Sequence, residues 1–168
     1  MRSSALPVVR LRAVDDSALS DVVRAAVADA APDEVTAPVT PGNVWSPERI
    51  SWLTGFHMDR RSGLEGPAGE ATWAVEVDGD VAGAVRLKRT DEVGVLETGI
   101  WLTRGARGRG VAIQALAAVL DEAAASGARE VRAVTRSENA AALAVLRALD
   151  FGLTRGGDGE VCARREIR

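Results

Sequence analysis

A short segment rich in glycine and arginine, Arg107-Gly108-Arg109-Gly110-Val111-Ala112, carries the clearest chemical signal in the sequence. It lies between a strand-like run that ends at Leu102 and an apolar run with helical spacing. A glycine turn that opens a helix leaves backbone N–H groups without partners, and these groups and the helix dipole favour an anion. Two arginines add positive charge and paired donors that suit phosphate. The segment is therefore predicted to bind the phosphates of a ligand.

The two best-known nucleotide-binding turns do not match this segment. A P-loop requires Lys and then Ser or Thr after its last glycine, whereas an apolar Val-Ala pair follows here. A dinucleotide-binding turn requires a small residue at its third glycine position, which Ile113 occupies. The segment resembles instead the Arg/Gln-x-x-Gly-x-Gly/Ala signature of the GNAT acetyltransferase superfamily, with Arg107, Gly110 and Ala112 at its defining places.

Two flanking segments strengthen this resemblance. The strand-like residues 97–102 and the later residues 139–152 are similar to the RimJ/RimL-like branch of the superfamily. The likeness covers the chain roughly from Pro7 to its end and is loose between Ala31 and Glu70. It implies a GNAT fold with acetyl-CoA as cosubstrate. It assigns the cofactor to Ile100, Trp101 and Leu102 on the strand, to Arg107, Gly108, Arg109, Gly110, Val111 and Ala112 in the turn, and to Asn139 at the start of the last helix.

Glu97 is the candidate general base. Two-residue alternation along the strand places it on one face with Val93, Val95 and Trp101. A carboxylate on an apolar face loses hydration and becomes a better acceptor for the proton of an ammonium substrate. In the superfamily a Glu on this strand often serves as the base, sometimes through water. The alternative is a structural glutamate that pairs with one of the many arginines.

The general acid is less well defined. RimL-like sequences often carry a serine three residues after Asn139, and this chain has Ala142 there. The chain also contains no tyrosine, which is the acid of many other members. Three alternatives remain: Ser137, water, or unassisted departure of the thiolate, since thiols are fairly acidic.

Trp45, Trp52 and His57 are the candidate contacts for the amine substrate. The two tryptophans cluster with Phe56 where the resemblance is loose, and His57 is the only histidine. Carboxylates nearby in the sequence would suit a cationic amine. Core packing of the tryptophans and a purely structural histidine are the alternatives.

Composition limits the other functions. A chain of 168 residues suits one domain, and a net charge of −3 does not indicate a surface for nucleic acid or an anionic membrane. No segment reaches the length of a membrane span, the first ten residues do not resemble a secretory signal, and Cys162 stands alone, so a reducing cytoplasm is expected. No set of His, Cys and carboxylate residues has metal-ligand spacing.

The hydrophobic patterns predict a single α/β domain over residues 7–168, preceded by a flexible tail of residues 1–6. The expected order is βαα-βββ-α-β-α-ββ in one mixed sheet, with residues 32–42 as a proline-rich loop. Strands at 93–102 and 130–135 are joined through one helix and should lie parallel. The last hairpin, residues 151–167, is expected to have an exposed edge that permits a homodimer.

Together with the resemblance, the sequence predicts an acetyl-CoA-dependent N-acetyltransferase. The resemblance implies that the amine attacks directly in a ternary complex. The acceptor is a primary amine, either a protein N-terminus or a small amine such as an antibiotic. An enzyme for a longer acyl-CoA is one alternative. A non-catalytic acyl-CoA-binding sensor or scaffold is another, which the missing acid candidates favour.

Overall fold

Seven strands and five α-helices form the part of the chain that the computed structural model describes, residues 5–168. Of the predicted tail of residues 1–6, the first four residues lie outside this part. The strands are β1 (Val9–Ala13), β2 (Glu70–Val77), β3 (Asp80–Arg89), β4 (Val95–Leu102), β5 (Glu130–Arg136), β6 (Gly152–Arg155) and β7 (Glu160–Glu166). The helices are α1 (Asp16–Asp29), α2 (Pro32–Val35), α3 (Pro47–Met58), α4 (Val111–Ala125) and α5 (Ala140–Ala148).

All seven strands join one mixed sheet in the order β1-β2-β3-β4-β5-β7-β6. Only β4 and β5 pair in parallel, which confirms the arrangement expected of two strands joined through α4. β6 lies at one edge of the sheet, where four residues pair with β7 alone. The homodimer stays a prediction. None of the helices in residues 5–168 is long and apolar enough to cross a membrane, and the cytoplasmic location also stays a prediction.

The helices cover the sheet on both faces. Adjacent residues of a strand point to opposite faces, so β4 directs Leu102 toward α4 and Trp101 toward α1. The larger core lies between the sheet and α4, whose buried stripe includes Ala115, Leu116 and Val119. The smaller core joins α1 to the other face through Val22 and its neighbours. α1 and α3 contact each other, so that second face also carries α3.

Two element boundaries differ from the sequence prediction. β4 begins at Val95 rather than at Val93, which lies in the preceding turn with 92% of its surface exposed, because Gly94 takes a positive φ of 79° there. The predicted loop at 32–42 contains α2, so the order is βααα-βββ-α-β-α-ββ. Pro32 occupies the first turn of α2, where its fixed φ favours a helix and its missing N–H costs nothing.

Arg49 organises the segment that contains α2. Its side chain is 1% exposed, although it stands on α3 in the middle of a polar stretch. Its five N–H groups have acceptors on the segment that wraps around it. They donate to Asp33 Oδ1 at 2.8 Å, Thr36 Oγ1 at 3.2 Å, Thr40 Oγ1 at 3.1 Å, Thr40 O at 3.0 Å and Gly42 O at 2.7 Å.

Replacing Arg49 should therefore destabilise the fold strongly. Arg49→Met puts no donor where the buried guanidinium served five acceptors, and we expect the free energy of unfolding to fall by about 3 kcal/mol. Arg24→Met is the matched control, because Arg24 is 75% exposed and pairs only with Asp21. That control should cost no more than about 0.5 kcal/mol. Urea denaturation measures both, and equal losses would contradict the role given to Arg49.

Candidate active site

A cleft opens in the sheet where β4 separates from β5. Their pairing covers three residues and ends with Glu97 opposite Arg132. β4 then continues along β3 as far as Leu102, and β5 continues along β7 as far as Arg136. Within residues 5–168, the edge of β4 that faces β5 has no strand partner from Thr98 onward. Backbone polar groups require partners, so this edge suits an extended ligand that carries amides.

The glycine-rich turn lies at the open end of the cleft, between β4 and α4. Gly108 and Gly110 have φ values of +72° and +76°, which favour glycine. A methyl group at either position would meet no atom within 4 Å, so the space outside the turn is open. Among the residues that the structure describes, no acceptor bonds the amide N–H groups of residues 108–113. The turn therefore presents a row of free donors at the start of a helix of 15 residues.

The two arginine side chains of the turn have different surroundings. The Arg107 guanidinium donates to the carbonyl of Leu102 at 3.1 Å and to the carboxylate of Glu34 on α2 at 2.8 Å. It thus points toward the end of β4 rather than away from the protein. Arg109 is half-exposed, and its nearest charge is Asp78 at 3.7 Å. Arg109 is the side chain of the pair that is better placed to meet a ligand phosphate.

The remaining predicted cofactor residues lie around the cleft. Ile100, Trp101 and Leu102 form the unpaired edge of β4. Asn139 is exposed and caps α5, where its side-chain oxygen accepts from the N–H of Ala142 at 3.1 Å. Ser137 follows β5 directly, and its hydroxyl donates to Glu138 Oε2 at 3.3 Å.

A cavity of about 260 Å³ lies beside this part of β4, under α2 and α3. Trp52 and Phe56 form one wall, with ring centroids 5.1 Å apart and nearly parallel planes. Glu34 belongs to the same lining, which sequence analysis missed because α2 was taken as a loop. The rest of the lining includes Gly99, Ile100 and Trp101 of β4, Arg86 of β3, and His57.

Two of the three predicted acceptor contacts reach this cavity. Trp52 and His57 line it. Trp45 does not, because its indole N–H donates to the carbonyl of Ala30 at 2.9 Å and holds the ring at the end of α1. His57 is 2% exposed, and its Nδ1 lies 3.0 Å from Thr72 Oγ1. Burial, aided by the positive charge of Arg60, lowers the pKa of His57 to about 4, so the ring is neutral at pH 7.

The apolar environment predicted for Glu97 is wrong. Its carboxylate is 36% exposed and accepts from Arg86 Nη2 at 2.9 Å. Alternation along β4 identifies its neighbours on that strand but says nothing of β3, which supplies the arginine. Gly99 leaves room for this arginine, because a Cβ at Gly99 would lie 3.0 Å from Arg86 Nε. In the structure, Glu97 is therefore part of an ion pair and not the isolated carboxylate that the sequence predicted.

The comparison with protein families agrees with this arrangement of sheet, cleft and turn. A family model described as "Acetyltransferase (GNAT) domain" matches residues 9–152. The chain therefore belongs to the GNAT acetyltransferases, which confirms the fold class and the acetyltransferase activity that the sequence predicted. Within the described residues, no group of three or more His, Cys, Asp or Glu side chains is arranged to hold a metal ion.

Solved structures of RimJ, of RimL and of a further N-acetyltransferase share this fold. RimJ of Mycobacterium smegmatis, solved with CoA-disulfide, has 23% identity and a TM-score of 0.73, over 94% of this chain and 81% of that chain. RimL, a ribosomal alpha-N-protein acetyltransferase solved with coenzyme A, has 19% identity and a TM-score of 0.68, over 95% and 94%. An N-acetyltransferase of Staphylococcus aureus has 20% identity and a TM-score of 0.68, over 96% and 99%. No curated protein sequence matches the chain.

The buried histidine should make the stability of the protein depend on pH. The pKa of His57 is about 4 in the folded chain against 6.5 for a free histidine, so the unfolded chain takes up the proton first. Stability from this group is present above pH 6.5 and is lost as the pH falls toward 4. His57→Gln removes the titration. The difference in unfolding free energy between wild type and variant should shift by about 2–3 kcal/mol from pH 7 to pH 4.5, as urea denaturation would measure. A constant difference would show that His57 is not buried as a neutral ring.

Proposed function

We propose that the protein transfers an acetyl group from acetyl-CoA to a primary amine by direct attack in a ternary complex. One observation carries this proposal: the same three residues, Gly99 to Trp101, border both the cleft and the aromatic cavity. A ligand in the cleft and an acceptor in the cavity would therefore meet across one short piece of β4. Holding the two reactants side by side replaces a bimolecular encounter and accounts for a large part of such catalysis.

The residues around the cleft fit coenzyme A. The free N–H groups of residues 108–113, with Arg109 beside them, are suited to its pyrophosphate. The unpaired edge of β4 offers backbone groups to the amides of its pantetheine arm. Acetyl-CoA supplies the thioester whose carbonyl carbon the amine attacks. Arg107 holds the turn against Leu102 and Glu34 and so fixes the donors in place.

Glu97 is the residue proposed to take the proton from the ammonium group. It precedes Gly99 by two residues and shares its face of β4, so its carboxylate lies next to the floor of the cavity. The ion pair with Arg86 holds the carboxylate in one position. Ser137 is the candidate acid, but its hydroxyl is engaged with Glu138. Unassisted departure of the thiolate is therefore the simpler expectation, since a free thiol has a pKa of about 8.5.

The size of the cavity restricts what it can hold. At about 260 Å³ it is below the range of roughly 300–1,000 Å³ typical for sites that enclose a whole small ligand. It would hold the amine-bearing end of an acceptor against Trp52 and leave the remainder outside. The alpha-amino end of a polypeptide, the acceptor named for RimL, fits this description. A panel of peptides and small amines, read by release of coenzyme A, would identify the acceptor.

Acetyl-CoA should bind the wild-type protein in the micromolar range or tighter by calorimetry. Gly110→Ala strains the turn at φ +76° and should weaken binding about 10- to 100-fold, the loss of one or two charge-assisted hydrogen bonds. Gly127→Ala is the matched control, because Gly127 has φ +81° and equally open surroundings at the far end of α4. The control should lose stability but no affinity. Absence of acetyl-CoA binding to the wild type would overturn the proposed function.

Glu97→Gln should keep the shape of the side chain and lose its basicity. We expect kcat to fall by about 10²–10⁴-fold near neutral pH, the usual contribution of a general base. Affinity for acetyl-CoA should stay close to wild type, because the phosphate turn lies at the other end of the cleft. The defect should shrink at high pH, where the amine deprotonates without help. Wild-type kcat at neutral pH would assign the proton to water.

Tight acetyl-CoA binding without turnover of any amine by the wild type would instead favour a non-catalytic binding module.

A further inference from the structure

Four charged side chains form an unbroken row that leads from α3 to Glu97. Arg60, just beyond the end of α3, contacts Glu70 of β2 at 2.6 Å. Glu70 also contacts Arg86 of β3 at 3.5 Å, and Arg86 contacts Glu97 of β4 at 2.9 Å. Glu70 is 3% exposed, whereas the other three are partly exposed. Positive and negative charges alternate along the row, and the four together carry no net charge.

Arg86 is shared between two carboxylates at unequal distances. Its Nη2 lies 2.9 Å from Glu97, which is within ordinary hydrogen-bond range. Its Nη1 lies 3.5 Å from Glu70, which is long for a hydrogen bond. A small movement of the guanidinium would shorten the second contact and lengthen the first. Gly99 beneath it has no side chain to oppose such a movement.

The arrangement matters when Glu97 changes its charge. In the proposed reaction the ammonium nitrogen gives a proton to a carboxylate oxygen of Glu97, which becomes neutral. Arg86 then loses the partner of its closest contact in a partly buried place. An uncompensated charge there is costly, and Glu70 remains negative within reach.

We propose that Arg86 and Glu70 act as positioning residues for the proton transfer, with Arg86 passing from Glu97 to Glu70 as Glu97 takes the proton. This inference rests on the proposed role of Glu97. Arg60 sets the balance, because its contact with Glu70 Oε1 offsets part of the negative charge that Arg86 approaches at Glu70 Oε2. Arg60 thereby affects Glu97 through Glu70 and Arg86, although it makes no contact with Glu97 itself.

Other charged groups also face Glu97. Lys88 lies opposite it on β3 and Arg132 lies opposite it on β5. Arg132 is bonded to Glu92 at 2.6 Å and to Glu130 at 2.5 Å. From the α3 side, His57 is buried against Thr72, the register partner of Arg86. Arg132 therefore offers a control for plain charge effects, since it lies opposite Glu97 and takes no part in the row.

Two substitutions should move the acid limb of the kcat–pH profile in opposite directions. Glu70→Gln leaves Arg86 entirely to Glu97, so the limb should shift to lower pH, with a lower plateau. Arg60→Gln lets Glu70 draw Arg86 away, so the limb should shift to higher pH. Each shift should be about 1 pH unit, the size expected when an opposite charge within 4–6 Å is strengthened or withdrawn. Arg132→Gln, the control, should shift the limb by less than Arg60→Gln does.

The same two substitutions, made in an Arg86→Met background, separate the movement of Arg86 from direct charge effects. Both shifts should disappear there, because the residue that passes between the carboxylates is gone. Shifts that persist in this background, or that Arg132→Gln equals, would overturn the inference. If Glu70→Gln does not fold, the shift of the acid limb in Arg60→Gln tests the inference alone. Arg60→Gln is expected to fold, because Arg60 is 23% exposed and Glu70 keeps Arg86 as a partner. A wild-type kcat for Glu97→Gln would reject Glu97 as the base. A low kcat for Glu97→Gln, together with unshifted acid limbs for Glu70→Gln and Arg60→Gln, would reject only the movement of Arg86.

Discussion

The separation of β4 from β5 is the constraint on which the rest of the site depends. Each strand keeps one partner along its whole length, so the sheet remains continuous while a single ladder is interrupted. The backbone groups thus left free on β4 require other partners, and a ligand that carries amides can supply them. The chain leaves β4 at the open end of this cleft and turns there into α4. The free donors of the glycine-rich turn therefore lie in line with the free edge of the strand.

The charged side chains around the proposed acceptor cavity are already paired with opposite charges. Glu34 is paired with Arg107, and Arg86 is paired with two carboxylates. Such pairs contribute little net stability, but they leave few charges in the cavity without a partner. What the cavity offers freely is the aromatic surface of Trp52 and its neighbours. Recognition in it would therefore rest on shape and on removal of apolar surface from water more than on an unpaired charge.

The sequence predicted those features that arise from local patterns. The hydrophobic patterns predicted the order of the elements apart from α2, and they predicted that β4 and β5 lie parallel. The proposal that the glycine-rich turn binds phosphate rests on six consecutive residues. Local patterns could not show what lies across the sheet or under a loop. The Arg86 partner of Glu97, eleven positions away in the chain, depends on the register of β3 against β4.

The sequence also could not predict which charged and polar side chains are buried. Arg49 resembles any surface arginine in the sequence, and only the wrapped segment around it makes it a core residue. The prolines of residues 32–42 predict a loop, yet a proline also begins a helix well, and Pro32 does so here. Trp45 and Trp52 have similar sequence surroundings, but a single hydrogen bond to Ala30 holds the first away from the cavity.

The contact between Glu34 and Arg107 joins the two halves of the site. Glu34 lines the cavity proposed to hold the acceptor, Arg107 belongs to the turn proposed to hold the cosubstrate, and their atoms lie 2.8 Å apart. By thermodynamic linkage, a cosubstrate that alters this contact changes the affinity for the acceptor, and the acceptor changes the affinity for the cosubstrate by the same factor. The coupling is the same in either order of binding, so one ion pair in the unliganded protein would make the two sites depend on each other before any chemistry takes place.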